Sequence, residues 1–347
     1  MKVAPVFAAL KGDPDLQPLL VHTGQHYDYA MSGKFFEDLG LPEPAYHLEA
    51  GSGSHAQQTA EILKRIEPVL VAEQPAALIV VGDVNSTVAC ALAAAKLGIF
   101  VIHIEAGLRS FDRTMPEEIN RLATDAISDL FMVTEESGRR NLIREGAAPE
   151  RIHMVGNLMI DSLRSHLEQA LRSDVRQRLV PDARYGLVTL HRPANVDNAE
   201  QLAGILSALG EIAAELPLYW PVHPRTRKTL SNSSLPANIH LLEPLGYLDF
   251  LCLEAGAALV LTDSGGVQEE TTVLGVPCLT LRDNTERPVT IDEGTNRLAG
   301  TSRESILRAW TETRSTGVAG RIPDYWDGKA GERVKSVLLA TFLPGGR

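Results

Sequence analysis

Cysteine is scarce in this 347-residue sequence: Cys90, Cys252 and Cys278 are widely separated and odd in number. Such usage excludes a disulfide frame and suits a reducing compartment, so a cytoplasmic location is expected. No Cys-x-x-Cys pair occurs, and no metal is expected. Basic residues are also short. Lys and Arg number 33 against 44 Asp and Glu, a net charge of −11. That balance argues against a general polyanion binder, and no nucleic-acid partner is expected, although one local basic pocket for a small anion stays possible. No apolar run approaches the length needed to span a membrane, so no insertion is expected. The opening MKVAPVFAAL superficially resembles a signal peptide. Its apolar run is broken by Lys11-Gly12-Asp13-Pro14, and no cleavage-type ending follows. Val3, Val6, Phe7 and Leu10 fall at helical spacing, which predicts a helix.

What is present is a rhythm of short apolar runs, each followed by a turn and a helical pattern. The first series is 18–23, 77–83, 100–107, 129–135 and 151–157. The second is 185–191, 217–223, 238–244, 257–263 and 276–281. Near-continuous apolar strands alternating with helices predict parallel sheets covered on both faces. Two series predict an α/β protein of two Rossmann-like, doubly wound domains. The domains are expected at 1–156 and 157–328. A C-terminal helix in 329–347 is expected to pack back on the first.

Chemistry-bearing motifs cluster where strands end. ALVLTDSGGVQEETTVLGVP runs a buried strand into Ser264-Gly265-Gly266 and a helix start. Backbone N–H groups approached through glycines form a phosphate cradle there, although a plain strand-to-helix turn reads equally from SGG alone. Gln268, Glu269 and Glu270 are expected in the first helical turn, with a glutamate accepting ribose hydroxyls rather than facing phosphate. In FVIHIEAGLRSFDRTMPEEINR, Glu105 ends a strand and Pro116 suits a first helical position. Glu117 and Arg121 share a helix face and also read as a surface ion pair. Arg109 and Arg113 add positive charge to that loop. Asp83 ends the strand of VVGDVNST and reads also as a helix cap. His191 and Arg192 end the strand of LVTLHRP, and His223 ends that of WPVHPRTRK. GSGSH at 51–55 lacks the third glycine and a preceding strand, so it is no dinucleotide motif. Three acids and two histidines at ligand edges, with an anion cradle, describe a cleft enzyme acting on a nucleotide-linked substrate.

GDVNST, HIEAGLRSFDRTMPEEINR, LVTLHR, PVHP, LTDSGGVQEE, LGVPCLTLRDNTERP and EGTNRL together resemble the non-hydrolysing UDP-N-acetylglucosamine 2-epimerases, in order along nearly the whole chain. TGQHYDYAMS, FFEDLGLPEP and GSGSH resemble the branch often seen in archaea, which is also similar to 2-epimerases of diacetamido-uronic acid sugars. The resemblance implies two facing domains of the GT-B type with the active site in the cleft between them, and a homodimer. It implies reversible conversion of UDP-GlcNAc to UDP-ManNAc, supplying polysaccharide synthesis, with no cofactor. By motif, Asp83, Glu105, Glu117 and His191 look like the active-site acids and histidine. Ser264, Gly265, Gly266, Glu270 and Arg287 look like UDP contacts, Phe250 like the uracil contact, and Lys2 and Arg121 like substrate-site cations.

Two departures from the family pattern carry expectations. The run Gln25-His26-Tyr27-Asp28 ends in an acid where bacterial members hold a regulatory UDP-GlcNAc. That acid suits a sugar nucleotide's charge poorly, while Gln25, Arg192 and His223 are still present, so the site is expected to be weakened rather than erased and activation weak or absent. The family also has a strand and a Gly-Thr-Arg-Pro-Glu turn ahead of the helix that here begins at Met1-Lys2. A chain extended upstream of Met1 is therefore expected to be more stable and more active. Other readings are a GT-B glycosyltransferase, which needs an acceptor, a hydrolysing epimerase, which releases free ManNAc, and a UDP-sugar binding protein without catalysis.

Overall fold

The computed structural model describes every residue except 25–35, 37–38, 223, 231–234, 318–319 and 344–347. The chain forms two compact units, Met1–Ser162 with Asp324–Arg347, and Leu163–Pro323. The first unit begins α1 (Val3–Leu10), β1 (Val21–His22), β2 (Tyr46–His47), α2 (His55–Glu73), β3 (Ala77–Val81) and α3 (Asn85–Lys96). It continues β4 (Phe100–Ile104), α4 (Pro116–Ile127), β5 (Leu130–Val133), α5 (Glu136–Arg144) and β6 (Ile152–Met154). Helix α6 (Leu158–Leu171) runs through the division between the units. The second unit holds α7 (Val175–Leu179), β7 (Gly186–Thr189), α8 (Pro193–Val196), α9 (Ala199–Ala213), β8 (Leu218–Pro221), α10 (Pro224–Leu230) and β9 (Ile239–Leu242). It continues α11 (Tyr247–Gly256), β10 (Leu259–Thr262), α12 (Gly265–Leu274), β11 (Cys278–Thr280), α13 (Val289–Asp292), β12 (Asn296–Leu298) and α14 (Arg303–Thr316). Helix α15 (Ala330–Phe342) belongs to the first unit.

In the first unit β3, β4, β5 and β6 lie side by side in chain order, all parallel. Right-handed crossovers put the connecting helices α3, α4 and α5 on one face. That face buries Val80 and Val101 with Ile62, Ile66 and Ala94, and Phe131 and Val133 with Leu142. The alternate residues, Ile102, Ile104, Leu130 and Met132, point the other way. Connecting helices do not reach them, so α1 and α15 close that face with Val6, Leu10, Val334 and Leu338. Lys335 Nζ pairs with Asp13 at 2.6 Å beside this packing. Strands β1 and β2 form a separate parallel pair, and β3 is an end strand of its sheet.

The second unit has one parallel sheet in the order β12-β11-β10-β7-β8-β9. Read from β9, this is the doubly wound order in which the strand sequence switches direction across the sheet between the parallel neighbours β7 and β10. Leu187, Tyr219 and Val260 face one core, and Val188, Leu218, Trp220, Leu259 and Leu261 the other. Both faces are covered, as near-continuous apolar strands require.

The α/β class with parallel sheets agrees with the sequence. The first expected strand, 18–23, shortens to Val21–His22, and β2 and β12 were not foreseen. GSGSH supplies a capping box, in which Ser54 accepts from the Gln57 N–H and Gln57 answers the Ser54 N–H.

Candidate active site

The first unit gathers its acids at the carboxyl ends of two adjacent parallel strands. Asp83 follows β3 and Glu105 follows β4. Glu105 has φ 70°, a left-handed backbone that costs a non-glycine residue about 1–3 kcal/mol and clusters at functional sites. Its carboxylate is buried and meets Lys2 Nζ at 2.6 Å. Gly82 has φ +75°, and a Cβ there would stand 3.2 Å from Glu105 Oε2. Glycine is therefore fixed by both backbone and space.

Asp83 does not cap α3, whose N-cap is Val84. Its carboxylate pairs with Arg121 Nη1, and Asn120 Nδ2 donates to its carbonyl at 2.9 Å. Arg121 also holds Glu118 through Nε at 3.0 Å and Nη2 at 2.8 Å. Arg121 therefore takes the acid three residues back, not Glu117 four back. Glu118 accepts besides from the N–H of Ser110 at 2.9 Å and of Phe111 at 3.0 Å. Burial would push its carboxyl up, but the Ser110 N–H and the Arg121 guanidinium bring it below the ordinary range. Glu117 is half-buried in the first turn of α4 and makes no hydrogen bond or ion pair among the described residues. Its carboxylate is the uncommitted one. Arg109 departs from expectation. It turns inward, 3 % exposed, and pairs at 2.6 Å with both Asp125 and Glu145. Arg113 stays exposed.

The second unit sets its residues at this switch point, between the ends of β7 and β10. Asp263 is fully buried and acts as a hub. His191 Nδ1 lies 2.9 Å from its Oδ1. The Arg192 N–H and Asn195 Nδ2 both donate to Oδ2 at 3.0 Å. Burial pushes the Asp263 carboxyl up, but His191, the Arg192 N–H and Asn195 outweigh it and hold it ionised. An ionised acceptor on Nδ1 fixes the ring so that Nε2 is the outward nitrogen of a half-exposed side chain. Arg192 also donates through Nε to the Asp263 carbonyl at 2.9 Å.

Ser264 stands at the N-cap position of α12 without a side-chain cap hydrogen bond, and Ser264, Gly265 and Gly266 are half-buried at the helix start. Because α12 begins at Gly265, Gln268, Glu269 and Glu270 stand beyond the first turn, later than expected. A Cβ on Gly265 would lie 2.7 Å from Arg287 Nη1. Arg287 is 4 % exposed and paired with Glu269 and Glu286. Glu270 is buried and accepts from the Tyr247 hydroxyl at 2.8 Å. Glu254 of α11 is fully buried beside it. Burial pushes the Glu270 carboxyl up to about 7, and burial with Glu270 raises Glu254 well above the ordinary range. Phe250 is half-buried on α11, against the core that holds Val260 and Leu253. Gln25 and His223, expected at a regulatory site, lie outside the described residues.

Sequence reasoning passed over several buried groups. Glu118 adjoins Glu117 in the sequence, and helical spacing lets either reach Arg121. His103 reads as one polar residue in an apolar strand, and Asp125 and Glu254 read as surface acids on helices.

The comparisons with known proteins bear on this arrangement. A family profile described as UDP-N-acetylglucosamine 2-epimerase matches residues 8–339. The UDP-N-acetylglucosamine 2-epimerase of Methanocaldococcus jannaschii is 44 % identical, over 97 % of this chain and 95 % of that one. The UDP-2,3-diacetamido-2,3-dideoxy-D-glucuronate 2-epimerase of Pseudomonas aeruginosa is 40 % identical, over 97 % and 96 %. A crystal structure of the M. jannaschii enzyme in complex with UDP-GlcNAc and UDP superposes with a TM-score of 0.90, again covering 97 % and 95 %.

Proposed function

We propose a reaction from one premise: this chain belongs to the UDP-N-acetylglucosamine 2-epimerase family. The reaction is reversible inversion at C2 of UDP-N-acetylglucosamine, giving UDP-N-acetylmannosamine. The C2 proton of a ring sugar is not acidic, because no carbonyl carbon adjoins it. Departure of UDP from C1 changes that. The C1–O bond breaks with its electrons going to the β-phosphate, and positive charge develops at C1. A carboxylate then takes the C2 proton, and the C–H electrons form the C1=C2 bond of a glycal. Protonation of C2 from the opposite face and return of UDP to C1 complete the inversion.

The observation that carries this reading is the unequal state of the acids in the first unit. Glu117 is uncommitted among the described residues, while Glu105 is ion-paired with Lys2 and Asp83 with Arg121. An uncommitted carboxylate suits a group that must gain and lose a proton, which assigns Glu117 to transfer at C2, and Glu105, buried at the end of β4 against Lys2, is taken as the carboxylate for the opposite face. Asp83 and Arg121 orient the sugar. His191 supports the departing diphosphate through Nε2, with Asp263 fixing the ring. The Ser264-Gly265-Gly266 turn receives the diphosphate at the α12 N-terminus. Glu270 accepts the ribose hydroxyls, Phe250 contacts uracil, and Arg287 organises the cradle beside Gly265.

The 40 % identity to the P. aeruginosa enzyme favours a second substrate, a UDP-diacetamido-uronate, which adds a carboxylate and a second acetamido group. The same reading takes the active form as a homodimer in the cytoplasm. No helix among the described residues is long and apolar enough to cross a membrane. The test is NMR of each UDP-sugar with the purified protein in deuterated water, without acceptor. Deuterium at C2 with appearance of the epimer is expected. UDP binding without C2 exchange overturns the proposal, and release of free ManNAc shows hydrolysis instead.

A further inference from the structure

Below the acids of the first unit lies an imidazole that this scheme does not use. His103 is on β4, two residues before Glu105, and is fully buried. Its Nδ1 lies 2.6 Å from Asp125 Oδ1 and its Nε2 2.9 Å from the Gly82 carbonyl oxygen. A carbonyl oxygen only accepts, so Nε2 carries a proton. The other Asp125 oxygen accepts from the Gly107 N–H at 3.0 Å and pairs with the Arg109 guanidinium at 2.6 Å, which favours an ionised carboxylate. An ionised Asp125 needs a proton on Nδ1 as well. The ring is then an imidazolium. Burial works against the charge, but Asp125, the Gly82 carbonyl and Glu105 together raise the His103 pKa. Burial likewise opposes ionisation of Asp125, and His103 with Arg109 overcomes it.

The Gly82 carbonyl belongs to the peptide bond that leads into Asp83. The Gly82 N–H donates to the Ile104 carbonyl at 3.0 Å, so the residue is clamped at both ends. Asn120 holds the next carbonyl and Arg121 the Asp83 carboxylate.

We propose that His103 is a positioning residue for the C2 chemistry: doubly protonated, it fixes the Gly82–Asp83 peptide and places a positive charge beneath Glu105. The proposal rests on the epimerase reading above. The charged groups that face the ring are Asp125, with Arg109 and Glu145 behind it, and Glu105, with Lys2 in front.

Two measurements test it. Nitrogen-15 histidine NMR of the wild-type protein is expected to show both ring nitrogens of His103 protonated at pH 8, where an ordinary imidazole is neutral. A neutral single tautomer at that pH overturns the proposal, whether or not any variant folds. His103→Gln keeps one donor for Gly82 but no charge. Its C2 exchange rate is expected to fall about 10²-fold, the cost of displacing a reacting group by an ångström or so. UDP affinity and KM are expected to stay unchanged. Exchange that survives in a folded His103→Gln overturns this proposal alone. Wild-type protein that exchanges no C2 proton overturns the epimerase reading first, and this one with it.

Discussion

The two units treat buried acids in opposite ways. In the first, the acids near the strand ends each meet a cation: Glu105 meets Lys2, Asp83 and Glu118 share Arg121, and Asp125 takes His103 and Arg109. In the second, Glu254 and Glu270 meet each other, and Tyr247 adds a hydroxyl whose pKa burial and Glu270 push up, keeping it a donor. The difference follows from what each region is proposed to hold. A proton-transfer site needs charged carboxylates with fixed geometry, and cations supply both. A ribose and diphosphate site gains from fewer negative charges, and burial of two acids together keeps at least one of them neutral.

The largest expected break in this comparison is at Glu117, which pairs with no cation among the described residues. Glu117→Gln removes the carboxylate but keeps its shape. C2 exchange is expected to fall by about 10²- to 10⁴-fold, the range for a general acid–base group. The melting temperature should hardly move, because Glu117 supports nothing else among the described residues. Calorimetric UDP affinity should also hold. A rate within about threefold of wild type would remove Glu117 from proton transfer and leave Glu105 as its only assigned carboxylate.

The next effect is structural. Arg121 is 2 % exposed and neutralises Glu118 and Asp83 together. Arg121→Met leaves Glu118 buried with only the Ser110 and Phe111 donors. Breaking a buried pair from one side costs about 3–5 kcal/mol. Urea denaturation should show that loss, with the Glu118 pKa rising toward and past its ordinary value. A smaller loss, under about 1 kcal/mol, would mean that water replaces Arg121 and that the cluster is not dry.

The strands that carry these acids are legible in the sequence, the pairing of the acids is not, and the limits are physical. The apolar runs ALIVV, FVIHI and LFMV announce buried parallel strands because both faces are covered. β2, Tyr46–His47, and β12, Asn296–Leu298, are too short and too polar to announce themselves. The placement of Asp83, Glu105 and His191 just past strand ends was legible, because the apolar runs that precede them mark those ends. The inward turn of Arg109 was not, since its partners Asp125 and Glu145 are 16 and 36 residues away in sequence. His103 reads as one polar residue in an apolar strand. Only the approach of Asp125 and Gly82 gives it a charge. Glu254, late in a helix, has the sequence look of a surface acid until α12 closes over it.

The smallest expected effect sharpens the comparison through pH. Glu270 titrates at about 7 in the folded protein, and Glu254 is raised further from its ordinary range. Both shifts are upward, so the folded state holds protons that the unfolded chain releases near pH 4.3. Stability from this pair is therefore complete below about pH 4 and is lost as pH rises through about 7. The first unit has the opposite lower edge. Asp125 is held ionised, so its contribution is present above the ordinary carboxyl range and fails only as pH falls below it. Glu254→Gln makes the neutral partner permanent. It should flatten the loss of stability between pH 5 and 8 and leave the variant about 1–2 kcal/mol more stable than wild type at pH 8. At pH 5 the two should be nearly equal. Urea midpoints at both pH values decide it. A variant less stable than wild type at pH 8 would mean that Glu254 is ionised and paired, and the two units would then treat their acids alike.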